Sequence, residues 1–202
     1  MDKGKNDKKE SKKGKKNTAL VVLFVLCFSL FLLLFSYELT VFVISDYNPE
    51  QLQVIHYIQN KNGLGDSFTP SEIDHMIDVK RIMQIVDGAL WGVFVVLGVL
   101  GVFLYRDRNL AGGLLWGGVA ALGIIILGAI LAALDFTLLF DVFHRIFFFF
   151  APGSCLFPHE SKLIQLFPLP FFIQMTKSIL ILAALCGGVC AALGFAAVRW
   201  KR

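Results

Sequence analysis

TALVVLFVLCFSLFLLLFSYELTVFVI, residues 18–44, carries one formal charge, Glu38, along its whole length. A helix rises 1.5 Å per residue, so ~20 apolar residues cross the ~30 Å hydrocarbon core of a bilayer. A secretory signal has a shorter apolar core, ~7–15 residues, and a small-residue cleavage site. This stretch is longer and lacks such a site. Cys27 follows Val25-Leu26 rather than a small residue, a poor setting for lipidation. The segment reads as a first transmembrane helix.

Working outward, Val86–Tyr105, Leu110–Leu134 and Ile173–Val198 are three further spans of suitable length. The 202 residues are 56% hydrophobic and 17% charged, against ~45–50% and ~25% in soluble domains. The mean hydropathy is +0.70, and the apolar residues fall in blocks that a soluble core has no room to bury. These values exclude a soluble enzyme on one anchor, a disordered regulator and a nucleic-acid-binding domain, so no nucleic-acid partner is expected. The net charge of +4 does not alter this, because eight of the nineteen basic residues are lysines between Lys3 and Lys16. Residues 1–17 are too polar to repay the entropy of ordering and are expected to form a disordered cytoplasmic tail. Residues 18–202 read as a single four-span membrane domain.

Lysine and arginine bias sets the orientation. With the N-terminus inside, the cytoplasmic side carries thirteen basic residues: the tail, Arg106, Arg108, Arg199, Lys201 and Arg202. The outer side carries six: Lys61, Lys80, Arg81, Arg145, Lys162 and Lys177. The fold expected is an all-α membrane protein with four transmembrane helices, N-in/C-in, and interfacial or re-entrant helices on the outer face. The inner loop Arg106-Asp107-Arg108-Asn109 is too short for a site. The outer segments, 45–85 and 135–172, hold all four histidines, so the chemistry is expected outside.

In the first outer segment, Pro49–Asn60 reads as a short helix and Gly63-Leu64-Gly65 as a breaker. Thr69 with Glu72 makes a capping-box pattern, and Pro70 suits the first helical position. A helix is expected from Thr69 into the second span. On it His75 and Asp78 share one side, flanked by Ser71 and Asp74, with Arg81 three residues further on. A histidine beside carboxylates at a membrane surface suits proton transfer. A solvated amphipathic helix would show the same spacing. Lys80, Gln84 and Asp87 fall on the opposite face.

Eleven of the twenty phenylalanines lie between residues 135 and 172. Around Asp141–Phe150 and Lys162–Phe172 the apolar runs are short and bounded by prolines, which favours interfacial helices bordering an acyl-chain cavity. His144 and Arg145 interrupt the first run. Such groups cost free energy in lipid unless they are paired or face a cavity, so they mark a functional site, with Asp141 placed to orient His144. An interfacial pair touching headgroups is the alternative. His56 and His159 are expected at the surface.

Cys27, Cys186 and Cys190 sit within spans as small apolar residues, leaving Cys155 as the one outer cysteine. No CxxC or HExxH occurs, and no cofactor or metal is expected. Glycines in Gly112-Gly113, Gly117-Gly118 and Gly187-Gly188 suit close helix approach in lipid.

Two motif groups carry a resemblance. Thr69-Pro70-Ser71-Glu72-x-x-His75-Met76-x-Asp78-Val79-Lys80 is one. Phe143-His144-x-x-Phe147-Phe148, with Leu166-Phe167-Pro168-x-x-Phe171-Phe172, is the other. Together they resemble the bacterial four-span family of lipoprotein intramolecular transacylases (Lit), over nearly the whole chain except the lysine tail and the Asp46–Asp66 loop. The stretch Ala151–Pro158, with Cys155, departs from the family's usual loop. The resemblance implies a multi-pass enzyme of the bacterial cytoplasmic membrane with an outward-facing site. It would act on diacylglyceryl-modified lipoproteins among membrane lipids, moving an acyl chain from the glyceryl sn-2 ester to the α-amino group of the same cysteine. It implies catalytic roles for His75 and His144.

That chemistry fits the residues. An intramolecular transfer needs no protein nucleophile, because the substrate amine attacks its own ester, and holding the two in register lowers the barrier. A histidine suits the base, and Lys80, Arg81 or Arg145 suits the oxyanion, Arg81 sharing the His75 face. Asp78 and Asp141 would orient the histidines or substrate. Two other readings fit the composition: a non-catalytic membrane assembly or lipid-binding protein, and another outer-leaflet lipid hydrolase or acyltransferase using Cys155.

Overall fold

The structure is a computed structural model describing residues 3–65, 67–148, 157–158 and 160–200. The described residues contain no strand. Among the described residues seven α-helices follow in order: α1 (Lys3–Leu39), α2 (Pro49–Ile58), α3 (Pro70–Arg106), α4 (Leu110–Leu134), α5 (Phe136–Phe147), α6 (Lys162–Leu166) and α7 (Leu169–Trp200). Four helical stretches of the described residues are long and apolar enough to cross a membrane: Asn17–Val43, which runs from α1 into the turn after it, Pro70–Arg106, Leu110–Leu134 and Leu169–Trp200.

Boundaries differ from expectation where propagation or capping decides them. Helix α1 reaches back to Lys3, so the lysine-rich leader is helical rather than disordered. Lysine and glutamate are good helix formers, and extending an existing helix avoids the nucleation cost. Helix α5 starts at Phe136 because the Asp135 carboxylate accepts from Leu138 N at 2.9 Å. Helix α7 starts at Leu169, before the expected Ile173, with Pro170 in its first turn, where its missing N–H costs nothing. Leu166-Phe167-Pro168 therefore closes α6, and Phe171-Phe172 opens α7. A π-helical turn, Thr40–Ile44, has no counterpart in the sequence reading. Ser45 closes it by donating from N (3.0 Å) and Oγ (2.6 Å) to Thr40 O.

The described chain clusters into two compact units, each assembled from separated segments. One gathers Met1–Phe35, Leu90–Ile126 and Ile181–Arg202. Phe24, Leu97, Leu100 and the fully buried Leu104 form its core. Glycine is obligatory at Gly118. A Cβ there would lie 2.5 Å from Gly187 O and 2.7 Å from Ala191 N, so α4 and α7 touch through backbone. Gly118→Ala is expected to cost ~1–3 kcal/mol, read as a lower unfolding temperature in detergent. Gly123→Ala, with nothing within 4 Å, should leave that temperature unchanged or raise it.

The other unit gathers Ser36–Ala89 and Leu127–Leu180. Its core is Val54 of α2, Phe68, Met76 of α3, and Leu163 and Leu166 of α6. Asn48 caps α2 in a full capping box with Gln51, whose Nε2 also donates to Leu166 O at 2.7 Å. This unit contains every histidine that is described.

Candidate active site

The start of α3 forms as its motif dictates. Thr69 N donates to Glu72 Oε2 at 2.8 Å, and Glu72 N donates to Thr69 Oγ1 at 3.4 Å. That reciprocal box fixes the helix phase and places His75 one turn along, half-buried. The His75 ring lies 4.9 Å from the Phe148 ring and 5.3 Å, edge-on, from Phe157.

Helix α5 supplies the second histidine. His144 packs 5.4 Å from Phe148 and 4.1 Å from Phe140. Both imidazoles thus border one phenylalanine. His144 Nδ1 is 2.9 Å from Phe140 O. A carbonyl oxygen only accepts, so Nδ1 carries the hydrogen, and in the neutral ring Nε2 holds the lone pair. The expected Asp141 partner is replaced by this backbone carbonyl, four residues back along the helix. Asp141 and Arg145 are both exposed on α5. Phe140 continues the aromatic wall to Phe172 at 4.8 Å, and Phe143 packs on Phe147 at 4.5 Å.

The first turns of α3, rich in charge, precede the span expected from Val86, and there electrostatics separate two groups. Burial lowers the His75 pKa to about 4, with repulsion from His144 adding to it and Asp78 opposing it. His75 is therefore neutral at pH 7. Asp78 also pairs with Arg81 at 3.2 Å, an exposed contact that contributes little to stability. Glu72 is only 2% exposed. Burial alone would raise its pKa, but hydrogen bonds from Ser161, Thr69 and Leu163 hold it at about 2.

Lys80 is turned away, its Nζ lying 4.3 Å from the centroid of the Tyr57 ring. On that side Gln84 and Asp87 join Glu38, Phe42, Met83 and Lys61 around a cavity of about 270 Å³. On α3, Lys80, Gln84 and Asp87 point roughly 120–180° away from His75 around the helix, and Met83 about 80°. The cavity has no histidine in its lining, and acyl-transfer chemistry is not assigned to it. His56 is half-buried in the last turn of α2. Cys155 and His159 lie outside the described residues.

Sequence reasoning missed the second role of Glu72. Its Oε1 accepts from Ser161 Oγ at 2.6 Å and Leu163 N at 3.1 Å. The capping box was visible at three-residue spacing, whereas partners 89 and 91 positions away leave no local signal.

The family model described as "Lipoprotein intramolecular transacylase Lit" matches residues 50–172. No curated protein matches the chain. Solved structures of the membrane integral lipoprotein intramolecular transacylase Lit from Bacillus cereus are similar in fold. One aligns with a TM-score of 0.74 at 17% identity, covering 94% of this chain and 99% of that one. A histidine-to-arginine variant aligns with a TM-score of 0.77 at 16% identity, covering 98% of each chain. A histidine-to-alanine variant aligns with a TM-score of 0.76 at 16% identity, covering 96% of this chain and 99% of that one. At such identity the structures speak for the fold alone. The family match takes in α2, α5, α6, both described site histidines and more than half of the sequence, and on that ground the chain belongs to the lipoprotein intramolecular transacylase (Lit) family.

Proposed function

We propose that this protein transfers an acyl chain within a bacterial lipoprotein, from the glyceryl sn-2 ester of the diacylglyceryl cysteine to that cysteine's α-amino group. The site faces outward from the cytoplasmic membrane, with both termini inside, as the thirteen-to-six basic bias favours. One observation carries the reading: His75 and His144 border the same phenylalanine, with His75 half-buried and neutral.

His75 is the general base. The neutral amine attacks the ester carbonyl, a C–N bond forms, and the nitrogen becomes a far stronger acid than the free ammonium. His75 takes that proton. Collapse of the adduct breaks the C–O bond, and the proton passes to the departing glyceryl oxygen, so no water and no cofactor is consumed. His144, with Nδ1 engaged and Nε2 free to accept, relays the proton across the pocket. Once protonated it donates from Nε2 to the oxyanion. Asp78 and Arg81 border the His75 side, while Asp141 and Arg145 meet substrate or headgroups on the polar face of α5. Phe140, Phe143, Phe147 and Phe172 line the path of acyl chains.

Among the described residues a covalent route finds little support. The Ser161 and Thr69 hydroxyls are donors to Glu72, and neither is set against a histidine base. The test is mass spectrometry of a lipoprotein N-terminus from cells lacking N-acyltransferase. With this protein present, the expected product is N-acylated and S-monoacylglyceryl. A free amine on an intact diacylglyceryl cysteine, with the protein present in the membrane, would sink the reading.

A further inference from the structure

A capping box needs only the Thr69 half of Glu72's contacts, which solvent-exposed glutamates or glutamines make on many helices. Glu72 is instead buried and accepts four hydrogen bonds: Thr69 N and Oγ1 on Oε2, Ser161 Oγ and Leu163 N on Oε1. Only a carboxylate satisfies four donors here. An amide offers one oxygen and would turn its NH₂ toward two of them. The Ser161 side continues toward His75. Ser161 N donates to Pro158 O at 2.9 Å, closing a turn beside Phe157, whose ring abuts the imidazole.

We propose that Glu72 is a positioning residue for His75: its carboxylate ties the start of α3 to the chain entering α6 and so holds Phe157 against the imidazole. This rests on the reading of His75 as the base. Leu163 and Leu166 are buried with Val54, Phe68 and Met76, so α6 stays docked without the carboxylate, and what loosens is the chain just before it. Freed from Phe157, His75 gains water. Among the described residues, His144 from α5 and Asp78 from its own helix act on His75; Phe157 brings no charge, so its loss acts on His75 through exposure.

The test is NMR titration of the full-length protein in detergent with ¹³C-labelled histidine, the four histidines being assigned by substitution. In the unmodified protein His75 should titrate at about 4. In Ser161→Ala and Glu72→Gln it should move upward by about one pH unit or more, toward the usual ~6.5. Ser161→Thr, which keeps the hydroxyl, should restore the original value. Thr69→Ala, which loses the hydroxyl that donates to Glu72 Oε2 and accepts from Glu72 N but keeps the Ser161 side intact, should move it far less. The proposal is overturned by an unmoved His75 in Ser161→Ala, by an equal shift in Thr69→Ala, or by an unmodified His75 titrating near 6.5. If Glu72→Gln does not fold, Ser161→Ala decides alone. The titration needs no turnover, so a failed transacylase assay and a failed positioning role give separate results.

Discussion

Replacing His75 with alanine is expected to cut turnover by ~10²–10⁴-fold, the usual worth of a positioned general base, with protein level and membrane insertion unchanged. His75→Gln should lose as much, because an amide fills the space and makes hydrogen bonds but takes no proton. Both are read as lyso-form lipoprotein formed per unit of membrane-inserted protein. The pH profile adds an independent check. A substrate amine of pKa ~8 makes log kcat/KM fall with unit slope below that pH. Protonation of His75 adds a second bend at about pH 4, since burial depresses its pKa there. An ordinary histidine would add that bend near 6.5. Lyso-form product at the normal rate from His75→Ala would end the mechanism and leave the family membership standing.

The elements were legible where one short pattern decides them. Four apolar runs gave the four membrane-length helices, and Thr69-Pro70-x-Glu72 gave the start of α3 within one residue. Patterns of this kind work because capping and hydrophobic length are local. The candidate site was legible to the level of its two histidines, which stand out as titratable groups among apolar neighbours. Their partners were not. His144 is oriented by a carbonyl that every residue possesses, so the carboxylate at Asp141 drew attention for its chemistry while the backbone of Phe140 makes the contact. Lys80 was weighed for its charge, but Tyr57, on a helix far away in sequence, holds it. The two compact units were equally hidden, since each is built from stretches far apart in sequence and all four membrane-length helices contribute residues to both.

His144 offers the second large effect, because its tautomer separates two roles that composition leaves open. With Nδ1–H directed to Phe140 O, the neutral ring presents only an acceptor at Nε2, so it cannot donate a hydrogen bond to the substrate's carbonyl before a proton arrives. A relay therefore requires a group that titrates, whereas a binding role requires only a polar atom at the Nε2 position. Asparagine places its amide near Nδ1 and keeps the donation to Phe140 O; glutamine reaches the Nε2 position. In the relay mechanism both His144→Asn and His144→Gln lose ~10²–10⁴-fold in kcat, with KM changed far less. If His144 only bound the glyceryl ester, His144→Gln would stay within about tenfold and His144→Asn would fall chiefly through KM. Single-turnover rates of lyso-form production, with substrate in excess of KM, separate these outcomes, because a lost proton carrier slows the transfer even when the site is full.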